Sequence, residues 1–252
     1  MRFRILGPVR ARCASGWVGV PADQQRVVLA VLLAEAGGIV STDRLVDALW
    51  PGRPPRRAIN TVQVYVMRLR RRIGPDLVAT RGHGYELVAG AGDIDANAFE
   101  RLVAAGRREL DQGEPHSACT KLERAIALWR GPAFADVPPV ATLTPRAAHL
   151  EQLRLSAEED RVAAMLALGR HEHVVDDLVR LADLSPLRER RWVLLMRALH
   201  RCGRRAEALG VFLRARKLLR DELGIEPGAE LQALQRTILD PRSAEEPALA
   251  AV

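Results

Sequence analysis

Arg68, Arg70, Arg71 and Arg72 crowd the end of one stretch, NTVQVYVMRLRRRI at residues 60–73, which also holds Asn60, Thr61 and Val64. These residue types recognise rather than break bonds. A guanidinium can donate to guanine O6 and N7, the amide of Asn60 can pair with adenine, and the methyls of Val64 can pack on thymine. Such a set is useful only if one side of an element displays it. Ile59, Val62, Val66, Leu69 and Ile73 recur at three- and four-residue intervals, which predicts an α-helix with one buried stripe. The other side then carries Asn60, Thr61, Val64, Arg68 and Arg71, with Met67 beside them and Arg70 and Arg72 on the flanks. The expectation is that Asn60, Thr61, Val64 and Arg68 read bases in a major groove while Arg70, Arg71 and Arg72 hold phosphates. A solvated basic face is the plain alternative, and Val64 and Met67 could equally contact the protein core.

The segment after the helix favours duplex binding. Gly74-Pro75 ends the helix, and residues 77–80 and 85–88 read as two strands around Arg81-Gly82-His83-Gly84. Two glycines permit the positive φ of a tight hairpin. A hairpin with Arg81 and His83 at its tip, flanked by Thr80 and Tyr85, is a wing that can lie along phosphates or enter a minor groove. Upstream, residues 3–9 and 17–20 read as short strands of a small antiparallel sheet. A helix follows from Asp23, with Val27, Val28, Val31, Leu32 and Ala34 on its apolar side, and ends at Gly37-Gly38. Ser41-Thr42 are N-cap candidates for a helix over 43–50, with Leu45, Val46, Leu49 and Trp50 expected to be buried. The prolines of Pro51-Gly52-Arg53-Pro54-Pro55-Arg56-Arg57 make that segment a connection.

Charge separates the chain into two parts. Residues 1–92 hold 14 Arg against 6 acidic residues, a net of +8, whereas the remaining 160 residues net −1. The positive excess lies wholly in the first third, as expected of a part that meets a polyanion. Cys13, Cys119 and Cys202 are scattered and odd in number, which suits reduced thiols in a cytosolic protein. No run of apolar residues is long enough to span a membrane and no secretory signal opens the chain. The small, Gly-rich segment 88–93 marks a boundary between a domain over 1–92 and one over 93–240, and the tail 241–252 is expected to be disordered.

Everything after the boundary reads as helix, over 96–112, 115–130, 145–168, 171–184, 187–202, 204–223 and 229–239. Gly113, Gly169 and Gly203 are each followed by small or apolar residues at offsets of five, nine and twelve: Ala118, Leu122 and Ala125; Val174, Leu178 and Leu181; Ala208, Phe212 and Ala215. The last two glycines are 34 residues apart, the tetratricopeptide period. Stacked helical hairpins of this kind bury faces that no single hairpin can bury alone. A Pro-rich insertion over 131–145 departs from the array. His171, His173, Asp176 and Asp177 could place ligating types on one face, but with no Cys and no fourth-ligand spacing they read as a solvated helix start, so no metal is expected. Arg188, Arg190 and Arg191, interrupted by Glu189, likewise read as a solvated face, and Trp129 and Trp192 as core. No Ser-His-Asp or Cys-His signature and no GxxxxGK[ST] occurs, so neither an enzyme nor a cofactor is expected.

TVQVYVMRLRRRI through TRGHGYELV resembles the winged-helix DNA-binding domain of OmpR-type response regulators, without a preceding receiver domain. DRLVDALWPGRPP followed by AINTVQVYVMRLRRRIG is more similar to the Streptomyces antibiotic regulatory proteins. ALWRGPAFADV, LEQLRLSAEEDRVAAMLALGRHEHVVDDL, SPLRERRWVLLMRALHRCGRRAEAL and RDELGIEPGAELQALQRTIL resemble the bacterial transcriptional activation domain of that family. The resemblance spans roughly residues 1–240 and implies a small member, expected to be without the ATPase and further repeats that larger members append. It implies an α+β winged helix-turn-helix followed by an all-α tetratricopeptide-like domain. It also implies an activator of a secondary-metabolite gene cluster, bound side by side as a dimer to direct repeats overlapping the promoter −35 region. RNA polymerase would be engaged there through its sigma factor and alpha C-terminal domain. The loop bearing Trp50, Arg53, Arg56 and Arg57 would touch sigma. A helical ligand sensor or scaffold with secondary DNA binding, and a repressor with the same winged helix, are the competing readings.

Overall fold

The computed structural model describes every residue except 15, 91 and 241–252, so the expected disordered tail lies outside the described residues. The chain opens with a three-stranded antiparallel sheet, β1 (Phe3–Arg4), β2 (Arg10–Cys13) and β3 (Gly16–Val18), in that spatial order. The sequence led us to expect two strands. Strand β2 was missed because RARC has no apolar alternation; Ala11 alone among its residues is buried.

A winged helix follows. It comprises α1 (Asp23–Ala34), β4 (Ile39–Ser41), α2 (Thr42–Leu49), α3 (Ala58–Ile73), a 3-10 turn (Pro75–Leu77), β5 (Val78–Arg81) and β6 (Gly84–Leu87). Every residue of α1 from Val27 to Leu33 is buried, a wider apolar surface than its expected stripe, because α2 and α3 both pack on it. Ser41 caps α2 as expected, its Oγ accepting from the Arg44 amide at 3.1 Å. Ala48 is buried in that helix, whereas Leu49 and Trp50 are only half-buried. The second sheet is antiparallel in the order β4-β6-β5, with the wing's inner strand in the middle. Gly84 is obligatory there: a Cβ would lie 2.4 Å from the carbonyl oxygen of Val40.

Seven helices complete the described residues: α4 (Asp95–Asp111), α5 (Pro115–Ile126), α6 (Thr144–Ala167), α7 (His171–Leu184), α8 (Glu189–Arg201), α9 (Arg205–Leu223) and α10 (Ala229–Leu239). All nine residues of the proposed repeat register are buried, and Gly113, Gly169 and Gly203 share φ values of 76°, 73° and 75°. Each glycine ends a helix in the left-handed region, the same turn three times over. Among the described residues, no helix is long and apolar enough to cross a membrane.

The described residues form two compact units, one within 1–107 and 120–157, the other within 108–119 and 158–240. The division falls within α4, α5 and α6. In the first unit, Asp95 is fully buried and accepts from the amides of Ile5 (2.8 Å) and Leu6 (3.4 Å), with Arg130 Nη1 at 3.3 Å. Burial pushes its carboxyl above the usual range, while those donors pull it back. The Pro-rich segment supplies further ties. The Arg130, Phe134 and Ala135 amides donate to Leu6, Ile5 and Gly7 carbonyls, and Asp136 accepts from Val9 N and Arg10 Nη1, both at 2.7 Å. What looked like a departure from the helical array is a clasp on the connection between β1 and β2.

The second unit corrects the reading of Arg188 and Arg191 as solvated, whereas Arg190 keeps an exposed side chain while it pairs inward. Glu159, 1% exposed, accepts from Arg188 Nε at 2.7 Å and Nη2 at 3.2 Å, and from Arg191 Nε at 3.0 Å. Arg191 is fully buried and also donates to the Leu181 carbonyl at 2.6 Å, and Arg190 pairs with buried Asp160 at 2.6 Å. The carboxylates come from α6, about thirty residues earlier, so nothing local in the sequence discloses them. Glu189 serves elsewhere, its Oε2 accepting at 2.6 Å from the Gly228 amide that caps α10.

Candidate nucleic-acid interface

Helix α3 buries Ala58, Val62, Val66, Leu69 and Ile73 and exposes most of the rest. Ile59 does not join the stripe. It is 51% exposed, because at 100° per residue it stands well to one side of Val62, and Ala58 takes its place. Val64 and Met67, at 39% and 42% exposed, face outward and not into the core.

The arginines divide into two kinds. Arg70 donates Nε to the Val78 carbonyl and Nη2 to Thr80 Oγ1, each at 2.8 Å, so it ties α3 to the wing strand β5. Arg72 donates Nε to the Gly19 carbonyl at 2.8 Å and thereby fastens the helix on its other flank. Both were expected on phosphates, and both spend donors on positioning. Arg68 and Arg71 are exposed and make no hydrogen bond or ion pair with any described residue. They flank an open depression lined also by Cys13, Val18 and Gln25. Asn60 is exposed near the start of the helix. Thr61 is half-buried, with Oγ1 donating to the Arg57 carbonyl at 3.0 Å.

The wing is anchored at both ends of its turn. The His83 carbonyl accepts from Thr42 N (3.0 Å) and Oγ1 (2.9 Å), which joins the wing tip to the start of α2 and leaves the exposed imidazole outside. Gly82, at φ +51°, makes the reversal. Arg81 is exposed, but its Nε already meets Glu86 Oε2 at 2.8 Å. Tyr85 is 7% exposed and belongs to the hydrophobic core, so it supports the wing from beneath and is not on the surface as expected. The sequence reading passed over Gln63. It is exposed in the furrow between α3 and the wing, beside Ile59, Thr80 and His83. Its four-residue spacing from Ile59 was the available signal, lost when the helix was divided into only two faces.

Residues 51–57 are all exposed, Arg53, Arg56 and Arg57 among them. Trp50 anchors the loop by stacking on Tyr65 of α3, with centroids 6.4 Å apart and planes 29° apart. A rigid aromatic base thus presents three guanidiniums on a proline-stiffened connection. The surface as a whole can grip a polyanion and read edges in a groove.

Residues 22–87 match the family "Transcriptional regulatory protein, C terminal", and residues 94–239 match "Bacterial transcriptional activator domain". The chain is 37% identical to Regulatory protein DnrI of Streptomyces peucetius over all of this chain and 99% of that one. It is also 37% identical to Transcriptional regulator RedD of Streptomyces coelicolor, over 95% of this chain and 70% of that one. Its structure is similar to that of Mycobacterium tuberculosis EmbR, solved with a low-affinity phosphopeptide. The TM-score is 0.90 at 31% identity, covering 94% of this chain and 64% of EmbR, so the chain spans less than two thirds of that protein. With an OmpR-type winged helix joined to a bacterial transcriptional activator domain, the chain belongs to the Streptomyces antibiotic regulatory protein family of DNA-binding transcriptional activators.

Proposed function

We propose that α3 enters the major groove of a promoter and that the activator switches on a secondary-metabolite gene cluster in the cytoplasm, at the nucleoid. The observation that carries this is the division of labour on α3. Arg70 and Arg72 lock the helix between wing and N-terminal sheet, while Arg68 and Arg71 stand free on the exposed side. Arg68, Asn60 and Val64 read base edges, with Thr61 at the margin. Arg71 holds phosphate, and Arg81 and His83 lie along the backbone beside the groove. Arg70, Arg72 and Thr80 position, and add phosphate contacts with whatever donors the protein leaves free.

One winged helix covers a short site, so two protomers side by side on direct repeats supply the affinity. Residues 1–92 form the DNA-binding domain in this scheme and residues 93–240 the activation domain. Arg53, Arg56 and Arg57, held out from Trp50, meet the sigma factor of RNA polymerase holoenzyme, and the helical half meets the alpha C-terminal domain. Footprinting on the promoters flanking the protein's own gene, followed by transcription with purified holoenzyme, tests the proposal. Expected are two protected direct-repeat half-sites and transcript output that falls when Arg53, Arg56 and Arg57 are replaced by Ala while the footprint persists. A single protected half-site would refute the paired arrangement, and unchanged output would refute the sigma contact.

A further inference from the structure

Within the second unit, α6, α7, α8 and α10 leave a cavity of about 450 Å³. That is the size range of small-molecule sites, and its make-up follows their pattern of an apolar bed with a few polar groups. Leu166, Leu194 and Leu234 form the bed, and His171, His200 and Arg201 stand around it. No carboxylate is among its lining residues. The other polar groups are occupied: Arg197 pairs with Glu230 at 2.8 Å, and Thr237 Oγ1 donates to the Ala233 carbonyl. Arg201 is exposed and forms no ion pair or hydrogen bond with any described residue. His171 Nδ1 is buried with no hydrogen-bond partner, an arrangement that proteins seldom leave unmet. Burial and the nearby Arg201 hold both imidazoles below their ordinary pKa, so near neutral pH Arg201 carries the charge and the imidazoles serve as neutral donors and acceptors.

We propose that this cavity binds a small organic anion with an apolar, ring-bearing body. Its carboxylate or sulfonate is held by Arg201 with His200 and His171, and its rings lie against the three leucines. The charge balance selects the anion: a neutral ring compound leaves Arg201 and His171 Nδ1 unmatched, and a cation is repelled. The bed selects the rings, since inorganic anions gain nothing from leucine. Occupancy bridges α7, α8 and α10, so the ligand adds rigidity to the unit.

The test uses the full chain and two probes of the same ring body, anilinonaphthalene sulfonate and uncharged phenylnaphthylamine, each titrated by fluorescence. Expected is saturable binding of one sulfonate probe per chain, tighter than the uncharged probe. Arg201→Glu weakens the sulfonate probe at least about tenfold, the worth of one charge-assisted contact, and leaves the uncharged probe unchanged. Ala167→Trp, at an exposed lining position, blocks both probes. Far-ultraviolet circular dichroism and melting temperature confirm that both variants are folded. The proposal is overturned by non-saturable binding, by equal affinity for the two probes, by an Arg201→Glu variant with undiminished sulfonate affinity, or by sulfonate binding that survives Ala167→Trp.

Discussion

RLRRR at 68–72 and RERR at 188–191 are nearly the same words, and the molecule uses them in opposite ways. On α3 the outward arginines meet no carboxylate, and the two on the flanks donate only to neutral oxygens: the Val78 and Gly19 carbonyls and the Thr80 hydroxyl. Their positive charge therefore remains available to an external anion. At α8 the guanidiniums of Arg188, Arg190 and Arg191 meet Glu158, Glu159 and Asp160 of α6, the last two nearly fully buried, and the charge is cancelled within the protein. A run of arginines is thus an interface or an internal staple according to what another helix brings opposite it. The difference is electrostatic: a guanidinium whose charge a buried carboxylate neutralises attracts a phosphate far less.

The comparison is broken most severely at the staple. Arg191→Ala leaves Glu159 partly unpaired in a dry site and should cost about 3–5 kcal/mol of stability by denaturant unfolding, with DNA affinity of the remaining folded protein unchanged. Replacing Arg191 by Met together with Glu159 by Leu should regain only part of that loss, since apolar side chains suit the site but Arg188 loses its carboxylate partner. Arg68→Ala should cost about 1–3 kcal/mol of operator affinity and relax the preference at one base pair, with no change in melting temperature. A variant that keeps full operator preference in competition assays would remove Arg68 from base reading. Arg71→Ala is expected to weaken operator and random DNA alike and to lower the salt slope of log affinity by about 0.9. The smallest effect belongs to Glu86→Gln. It releases Arg81 from its 2.8 Å partner, and the affinity for any duplex should rise a few-fold, the worth of one exposed pair (about 0.2–1 kcal/mol). Unaltered affinity would show that Arg81 does not approach DNA.

Much of the fold was legible because local periodicity reports it. The apolar spacing of α3, the glycine hairpin after it and the repeated offsets behind Gly113, Gly169 and Gly203 all encode structure at short range, and the α3 stripe from Val62 onward and the repeat positions are buried as read. The errors share a cause as well. Strand β2 is held by its neighbours, Ile59 lost its place to Ala58 through an angular offset, and Tyr85 lies on the middle strand of its sheet and turns into the core. The apparent irregularity at 131–145 is a clasp whose partners lie more than a hundred residues away.

By itself, the sequence determined the succession of elements, the basic helix-and-wing surface and the helical repeat, because each depends on residues within a turn or two of one another. Only the tertiary structure decided which arginines are free. It made Arg70 and Arg72 braces, paired Arg188, Arg190 and Arg191 with carboxylates of α6, and left Arg68, Arg71 and Arg201 open. The reason is that a charge's availability depends on the opposite charge within a few ångströms, and folding places that charge from anywhere along the chain.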